Sequence, residues 1–399
     1  MLPSFKRAHK KSGIWDRIQK DDATRLRLKY DSYYHIFEKQ SGTKVQKDGK
    51  EYIMLSSNDY LGLSQHPKII EAGKLALDKW GSSTTGARLA NGGRIFHRQL
   101  EEELAEFLGK EACHVYSAGY LACASAITGF AQRKDLILAD KNLHSSLWSG
   151  IQLSGARCER FAHNHPDHLE EILESEDPQT NKFLVLEGIY SMEGHIARLP
   201  ELMEVANKFN AFTILDDAHG IGVLGSGGRG TANHFEVNDQ IDVICGSFSK
   251  SLSGVGGFVA SSKEAIDYMR SHSKQTIFSA ALSPSSTACT LAALKVIQTE
   301  PEHRIKLEKN LKRYRDLLLE LNLDIWESEA PAIPIVLGKK ERAYYFWKAL
   351  LEKGVYTIIS VAPGVPPGKD LIRTAISASH SSEDLDHIER AMRYAASKI

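Results

Sequence analysis

Two stretches decide the fold: Phe212-Thr-Ile-Leu-Asp-Asp-Ala-His219 and Ile241-Asp-Val-Ile-Cys-Gly-Ser-Phe-Ser-Lys250. Each is a short apolar, β-branched run that ends in reactive side chains, two carboxylates and an imidazole in the first and a lysine in the second. Runs of this length read as strands buried on both faces of a parallel sheet. In open α/β sheets, ligands bind outside the carboxyl ends of the strands. The two stretches therefore predict an α/β domain with its chemistry along one edge.

Outward from them, Ala112–Tyr116, Leu136–Ala139, Phe183–Leu186 and Gly257–Ala260 read as further strands. Between them lie helices such as Leu199–Phe209, where Pro200 suits the first turn and Leu199, Leu202, Val205 and Ala206 share an apolar face. After Pro284 a long helical stretch, Ser286–Leu321, is expected to break near Pro301. A smaller α+β unit follows, with strands near Ile333–Val336 and Leu371–Ile376, helices at Glu341–Lys353 and Glu383–Ala395, and a proline-rich loop, Ala362–Pro367. The predicted organisation is an N-terminal segment (1–50), a large mostly parallel-sheet domain (51–290) and a small C-terminal α+β domain (291–399). Helix-forming residues before Lys39 are expected to pack beside the small unit or on a second subunit.

The chain has 399 residues, 42% of them apolar, enough for more than one packed domain and too apolar for general disorder. Lys and Arg (50) balance Asp and Glu (50), so there is no basic face for nucleic acid. Five scattered cysteines without CxxC spacing suit a reducing compartment. The basic stretch with Lys6, Arg7, Lys10 and Lys11 lacks a signal-peptide core, and no run of about 18 apolar residues occurs. A cytoplasmic protein without a transmembrane segment is expected, with peripheral membrane contact left open.

A lysine among apolar and small residues has its ammonium form disfavoured and can serve as an amine nucleophile or base. Lys250, flanked by Phe248, Ser249 and Ser251–Gly257, is such a lysine. A pyridoxal phosphate enzyme needs one for its Schiff base, and a carboxylate to keep the pyridine nitrogen protonated. Asp216 would supply the carboxylate, although capping the next turn is a competing role for it and for Asp217. The small-residue turn Ser117-Ala-Gly-Tyr120 could offer backbone N–H groups to the phosphate. His144, opening the helix Ser145–Ile151, could stack on the ring.

The sequence resembles the α-oxoamine synthases, acyl-CoA-dependent enzymes of pyridoxal phosphate fold type I that include serine palmitoyltransferase and 8-amino-7-oxononanoate synthase. The matching motifs run in the family's order: Ser57-Asn-Asp-Tyr-Leu-Gly-Leu63, Leu100-Glu-Glu-Glu-Leu-Ala105, Ser191-Met-Glu-Gly194, Asp216-Asp-Ala-His-Gly-Ile-Gly222, Gly246-Ser-Phe-Ser-Lys-Ser-Leu252 and Phe278-Ser-Ala-Ala-Leu-Ser-Pro284. The resemblance implies that Lys250 carries the cofactor, Asp216 pairs with its ring nitrogen and His219 bonds its phenolic oxygen. His144 would stack on the ring. Ser117, Gly119, Tyr120, Ser247 and, from a second subunit, Ser279 would surround the cofactor or its phosphate. Asn58 and Ser191 would line the substrate site, and Arg373 would clamp the amino-acid carboxylate. Ser247 stands where the family often has Thr, and Ala280 where some members have a phosphate-binding Thr. The implied reaction joins a small amino acid to an acyl-CoA with loss of carbon dioxide, in a homodimer. Gly246-Ser-Phe-Ser-Lys-Ser-Leu252, Ser191-Met-Glu-Gly194 and Glu300-Pro-Glu-His303 favour the serine palmitoyltransferase pattern, hence serine and a long acyl chain. Asp217-Ala-His-Gly-Ile-Gly222 is nearer to 8-amino-7-oxononanoate synthase, so alanine- and glycine-using members stay open, glycine C-acetyltransferase and amino-ketone signal synthases among them.

A dinucleotide-binding oxidoreductase competes through Gly225-Ser-Gly-Gly-Arg-Gly230, but no apolar helix face follows, and a surface loop is the better reading. His163, His165 and His168 lack helical ligand spacing across Pro166, so a strand-exit turn is expected rather than a metal site. No GxSxG elbow supports a serine hydrolase.

Overall fold

The computed structural model describes residues 13–18, 32–362 and 364–399. Lys6, Arg7, Lys10 and Lys11 lie outside the described residues, as does most of the expected helix-forming segment before Lys39. At its centre is a seven-stranded sheet in the order Ala112–Tyr116, Gly257–Ser261, Val243–Ser247, Phe212–Asp216, Lys182–Glu187, Leu136–Asp140, Arg157–Phe161. Gly257–Ser261 runs antiparallel to both neighbours, and the other pairings are parallel. Helices cover both faces, so the inner strands are apolar throughout: Leu136, Ile137, Leu138, Ala139, Leu184, Val185 and Leu215 have no exposed surface. Each such Leu, Ile or Val contributes about 1.5–3 kcal/mol by leaving water, which fixes the strand ends on which the site is built.

The helices start where the local chemistry predicts. Leu199–Lys208 has Pro200 in its first turn and buries Leu199, Leu202, Met203, Val205 and Ala206. The long helical stretch divides into Pro284–Thr299 and Glu302–Glu320, with Pro301 at the break. Val243–Ser247 begins two residues later than its sequence pattern suggests, because the Asp242 carboxylate accepts the backbone N–H of Thr213 at 2.7 Å and pins that end outside the ladder.

The C-terminal unit holds a three-stranded sheet, Ala332–Gly338, Asp370–Ala375 and Ile358–Ser360, with helices Lys340–Glu352 and Ser382–Ala396. A four-stranded sheet joins Lys39–Ser41, Lys44–Lys47 and Lys50–Met54 to Val355–Tyr356, the last pairing being parallel. The chain beyond Met54 is sewn to the strand carrying Arg373: Ala375 N–H donates to Leu55 O (2.8 Å), Ala378 N–H to Tyr60 O (2.7 Å) and Ser377 Oγ to Asp59 O (2.6 Å). That seam sets Asn58 against Arg373. Among the described residues no helix is long and apolar enough to cross a membrane, and all five cysteines are free thiols.

Candidate active site

A cavity of about 260 Å³ opens at the carboxyl ends of the central strands, lined by Gly119, Tyr120, His144, Asp216, His219, Ser247 and Lys250 among the expected residues. Asp216 ends its strand and is buried, its Oδ1 accepting the Ala218 N–H at 3.1 Å. Cys123 and Cys245 sit against its carboxylate, the three ligand atoms lying within 4.8 Å of one another. Lys250 follows the end of Val243–Ser247, its Nζ 3.3 Å from Ser249 Oγ. Burial lowers the Lys250 pKa from its ordinary value, with the Asp216 carboxylate opposing the change.

His219 is buried, and its Nδ1 lies 2.7 Å from the Tyr60 hydroxyl. Burial first, then the charges of Lys250 and Arg373, hold this imidazole well below the usual histidine pKa, so it is neutral. His144 caps the helix Ser145–Ser154: its Nδ1 accepts the Ser146 N–H (3.3 Å) and meets Ser146 Oγ (2.7 Å). Its own backbone N–H donates to Glu187, a carboxyl in the cavity wall whose pKa burial and neighbouring Asp216 raise well above normal.

Arg373 is 8% exposed. Its Nε donates to Ser191 O at 2.8 Å and its Nη2 to Asn58 Oδ1 at 3.0 Å, while the Tyr60 hydroxyl lies 3.4 Å from the same Asn58 oxygen. Asn58, Ser191 and Arg373 thus form one cluster, joined through Tyr60 to His219. Ser191 takes part through its backbone carbonyl. Ser117 precedes the helix Gly119–Thr128 without lining the cavity, and Ser279 lies on a partly exposed loop away from it. Tyr60 and Glu187 were missed by role assignment from the sequence. Tyr60 stands inside the motif Ser57–Leu63, and Glu187 closes an apolar strand as Asp216 does, so the strand-end argument could have found it.

The other candidates resolve into structure. Asp217 accepts the Thr231 N–H and hydroxyl, both at 2.6 Å, and burial raises its pKa to about 7. Gly225–Gly230 forms a tight loop leading into a helix of only four residues, Thr231–His234. His163 Nδ1 lies 3.0 Å from Asp140, whereas His165 caps the helix Pro166–Glu174 and His168 Nδ1 accepts the Ala162 N–H at 2.8 Å. His165 and His168 close the turn that opens this helix, with His165 Nδ1 accepting the His168 N–H at 3.2 Å, and His163 points away from them.

Residues 50–392 match the family described as aminotransferase class I and II. The chain belongs to this family. Serine palmitoyltransferase of Sphingobacterium spiritivorum is 38% identical over 363 residues, 91% of this chain and 91% of its own length. An 8-amino-7-oxononanoate synthase of Bacillus velezensis is 36% identical over 91% of this chain and 93% of its own. The solved structure of Sphingomonas wittichii serine palmitoyltransferase superposes with a TM-score of 0.94 at 32% identity, covering 98% of both chains. Within the aminotransferase class I and II family the chain falls among the α-oxoamine synthases, pyridoxal phosphate-dependent acyltransferases of fold type I.

The cavity fits that cofactor. A buried carboxylate and a lysine amine line it together, as a pyridinium and an aldehyde require. The helix Gly119–Thr128 opens on the cavity with no side-chain cap at Ala118, which leaves its first N–H groups for an anion. A Cβ on Gly119 would collide with Ser247 Oγ, so only glycine keeps this cradle open.

Proposed function

We propose that the protein condenses L-serine with a long-chain acyl-CoA, releasing carbon dioxide, CoA and an α-amino ketone. The observation that carries the reading is Arg373. A buried guanidinium, tethered by two of its N–H groups, sits close enough to Lys250 and His219 to influence both electrostatically. Its remaining N–H donors suit an amino-acid carboxylate, which a planar fork binds with defined orientation. The serine palmitoyltransferases among the relatives support serine, and the 8-amino-7-oxononanoate synthases keep alanine as the second reading.

The bound cofactor supplies an electron sink for the negative charge that develops at the substrate α-carbon. In our reading Asp216 would hold the ring nitrogen, His144 would stack on the ring, and Gly119, Tyr120 and Ser247, which line the cavity, would surround the phosphate, with Ser117 standing just before that turn. Lys250 would attach the cofactor, and its Nζ, when free, would take the proton from the substrate α-carbon. Arg373, with Asn58 and Ser191 beside it, orients the substrate so that this proton faces Lys250. A Tyr60 hydroxyl that donates to His219 Nδ1 would place the neutral imidazole's hydrogen on Nε2, where it would stabilise oxygen charge on the cofactor or the acyl carbonyl. A buried pocket limits stray protonation at the carbon.

A symmetric homodimer in the cytoplasm completes the proposal. Phe278 is 81% exposed, beside Ser279 and next to the bridge between Ala87 and Ala280. A second copy packed over this ring would carry Ser279 to the neighbouring cavity. The amino ketone would enter sphingolipid biosynthesis.

The test is to incubate the holoenzyme with palmitoyl-CoA and serine, alanine or glycine in turn, measuring thiol release and product mass. Serine should give the fastest thiol release, with one carbon dioxide lost per CoA. Faster release with alanine would move the assignment to the second reading, and no release with any of the three would end it.

A further inference from the structure

Among the described residues, one cluster of metal-ligating side chains outside the cavity stands unused. His66 precedes the helix Pro67–Trp80. Glu300 ends Pro284–Thr299, and His303 lies in the first turn of Glu302–Glu320. Folding brings them together: His66 Nε2 lies 3.3 Å and His303 Nε2 3.6 Å from the same oxygen, Glu300 Oε2, and all three ligand atoms are within 4.8 Å of one another.

We propose that His66, Glu300 and His303 bind a single divalent transition-metal cation of the zinc type. With metal–ligand bonds of about 2.0–2.1 Å, tetrahedral geometry separates neighbouring ligand atoms by roughly 3.3–3.4 Å. The two measured separations are close to that value before any metal adjusts them. Two imidazoles and one carboxylate also match the donor preference of such ions. Lys68 Nζ donates to the other oxygen, Glu300 Oε1, at 2.7 Å, which turns Oε2 toward both rings. The side chains are 15%, 19% and 24% exposed, enough for an ion to enter and for water to complete its shell. A bound ion would tie the start of one helix to the bend between two others, at the foot of the C-terminal unit.

The test uses the holoenzyme, stripped of metal by a chelator and titrated with zinc chloride against a chromophoric competitor. One equivalent should bind, and the thermal midpoint should rise with zinc. His303→Ala and Glu300→Gln should each weaken binding by at least about tenfold and abolish the zinc-dependent rise. His195→Ala, an imidazole outside the cluster, should bind as the parent does. Circular dichroism confirms that each variant is folded. Equal affinity in the parent and in folded His303→Ala, or no stoichiometric binding by the parent, would reduce the cluster to a hydrogen-bonded helix junction. Amino-ketone synthesis is measured separately, so loss of this site and loss of the proposed reaction are distinguishable.

Discussion

The strand-end cavity and the Arg373 cluster joined to it through Tyr60 and His219 form two halves of the site that are held by different means. Asp216 ends its strand and Lys250 follows the end of the neighbouring strand Val243–Ser247, two strands locked by sheet hydrogen bonds and apolar packing on both sides. Arg373, Asn58 and Tyr60 meet only through side-chain bonds and the seam from Leu55 to Ala378. This second half depends on a few bonds of about 1–3 kcal/mol each between units that could shift on binding. Changes in the strand-end half should therefore remove chemistry, whereas changes in the stitched half should weaken substrate handling.

The largest expected effect is Lys250→Ala. It removes both the proposed attachment point and the proposed base, so turnover should fall by roughly 10⁴-fold or more, and borohydride should no longer fix the cofactor to the chain. Turnover like the parent's would remove Lys250 from the reaction. On the stitched side, Arg373→Lys keeps the charge and loses the fork. Losing one charge-assisted bond costs about 1.5–3 kcal/mol, so KM for the amino acid should rise roughly 10- to 100-fold while KM for acyl-CoA changes little. A matching rise in both constants would mean that Arg373 supports the fold rather than the carboxylate.

The same division governs what could be read from the sequence. Phe212–Asp216 and Leu136–Asp140 are buried on both faces, so their unbroken apolar runs announced them. Arg157–Phe161 escaped because it lies at the sheet edge, where Arg157 and Arg160 face solvent and break the pattern. Lys39–Ser41, Lys44–Lys47 and Val355–Tyr356 are short and partly polar, and their partners are set only by the tertiary fold. Asp216 and Lys250 were visible as strand-end residues. The Tyr60–His219 contact spans 159 positions and has no local signature. Ser57–Leu63 was recognisable as a motif, yet the role of its tyrosine emerged only once the chain had closed.

A third prediction separates two adjacent carboxylates in the strand-end half. Burial raises Asp217 to about 7 in the folded protein, against 3.8 for an ordinary aspartate. Below about pH 4 both folded and unfolded chains hold this proton. Between there and about pH 7 the unfolded chain releases it and the folded one keeps it, so stability falls as pH rises, by up to about 1.4 kcal/mol per pH unit. Above that window the contribution is constant. Asp217→Asn can still accept the Thr231 N–H and can donate to its hydroxyl. The variant should lose this slope in urea midpoints measured from pH 4.5 to 7.5, with its cofactor spectrum unchanged. An unchanged slope would place the titration elsewhere.

The smallest expected effect tests the joint between the halves. Tyr60→Phe keeps the ring, which packs against His219 with centroids 5.9 Å apart, and deletes the hydroxyl that bridges His219 Nδ1 and Asn58 Oδ1. His219 then loses the partner that fixes which nitrogen faces the cavity, and burial keeps water from replacing it readily. One neutral hydrogen bond is worth about 0.5–1.5 kcal/mol, so kcat should fall roughly 2- to 10-fold with little change in amino-acid KM. Because burial and nearby cations keep His219 neutral, the loss should be uniform across pH 6–8. A loss confined to KM would assign Tyr60 to the Arg373–Asn58 cluster, and the joint would then belong to substrate binding rather than to the strand-end half.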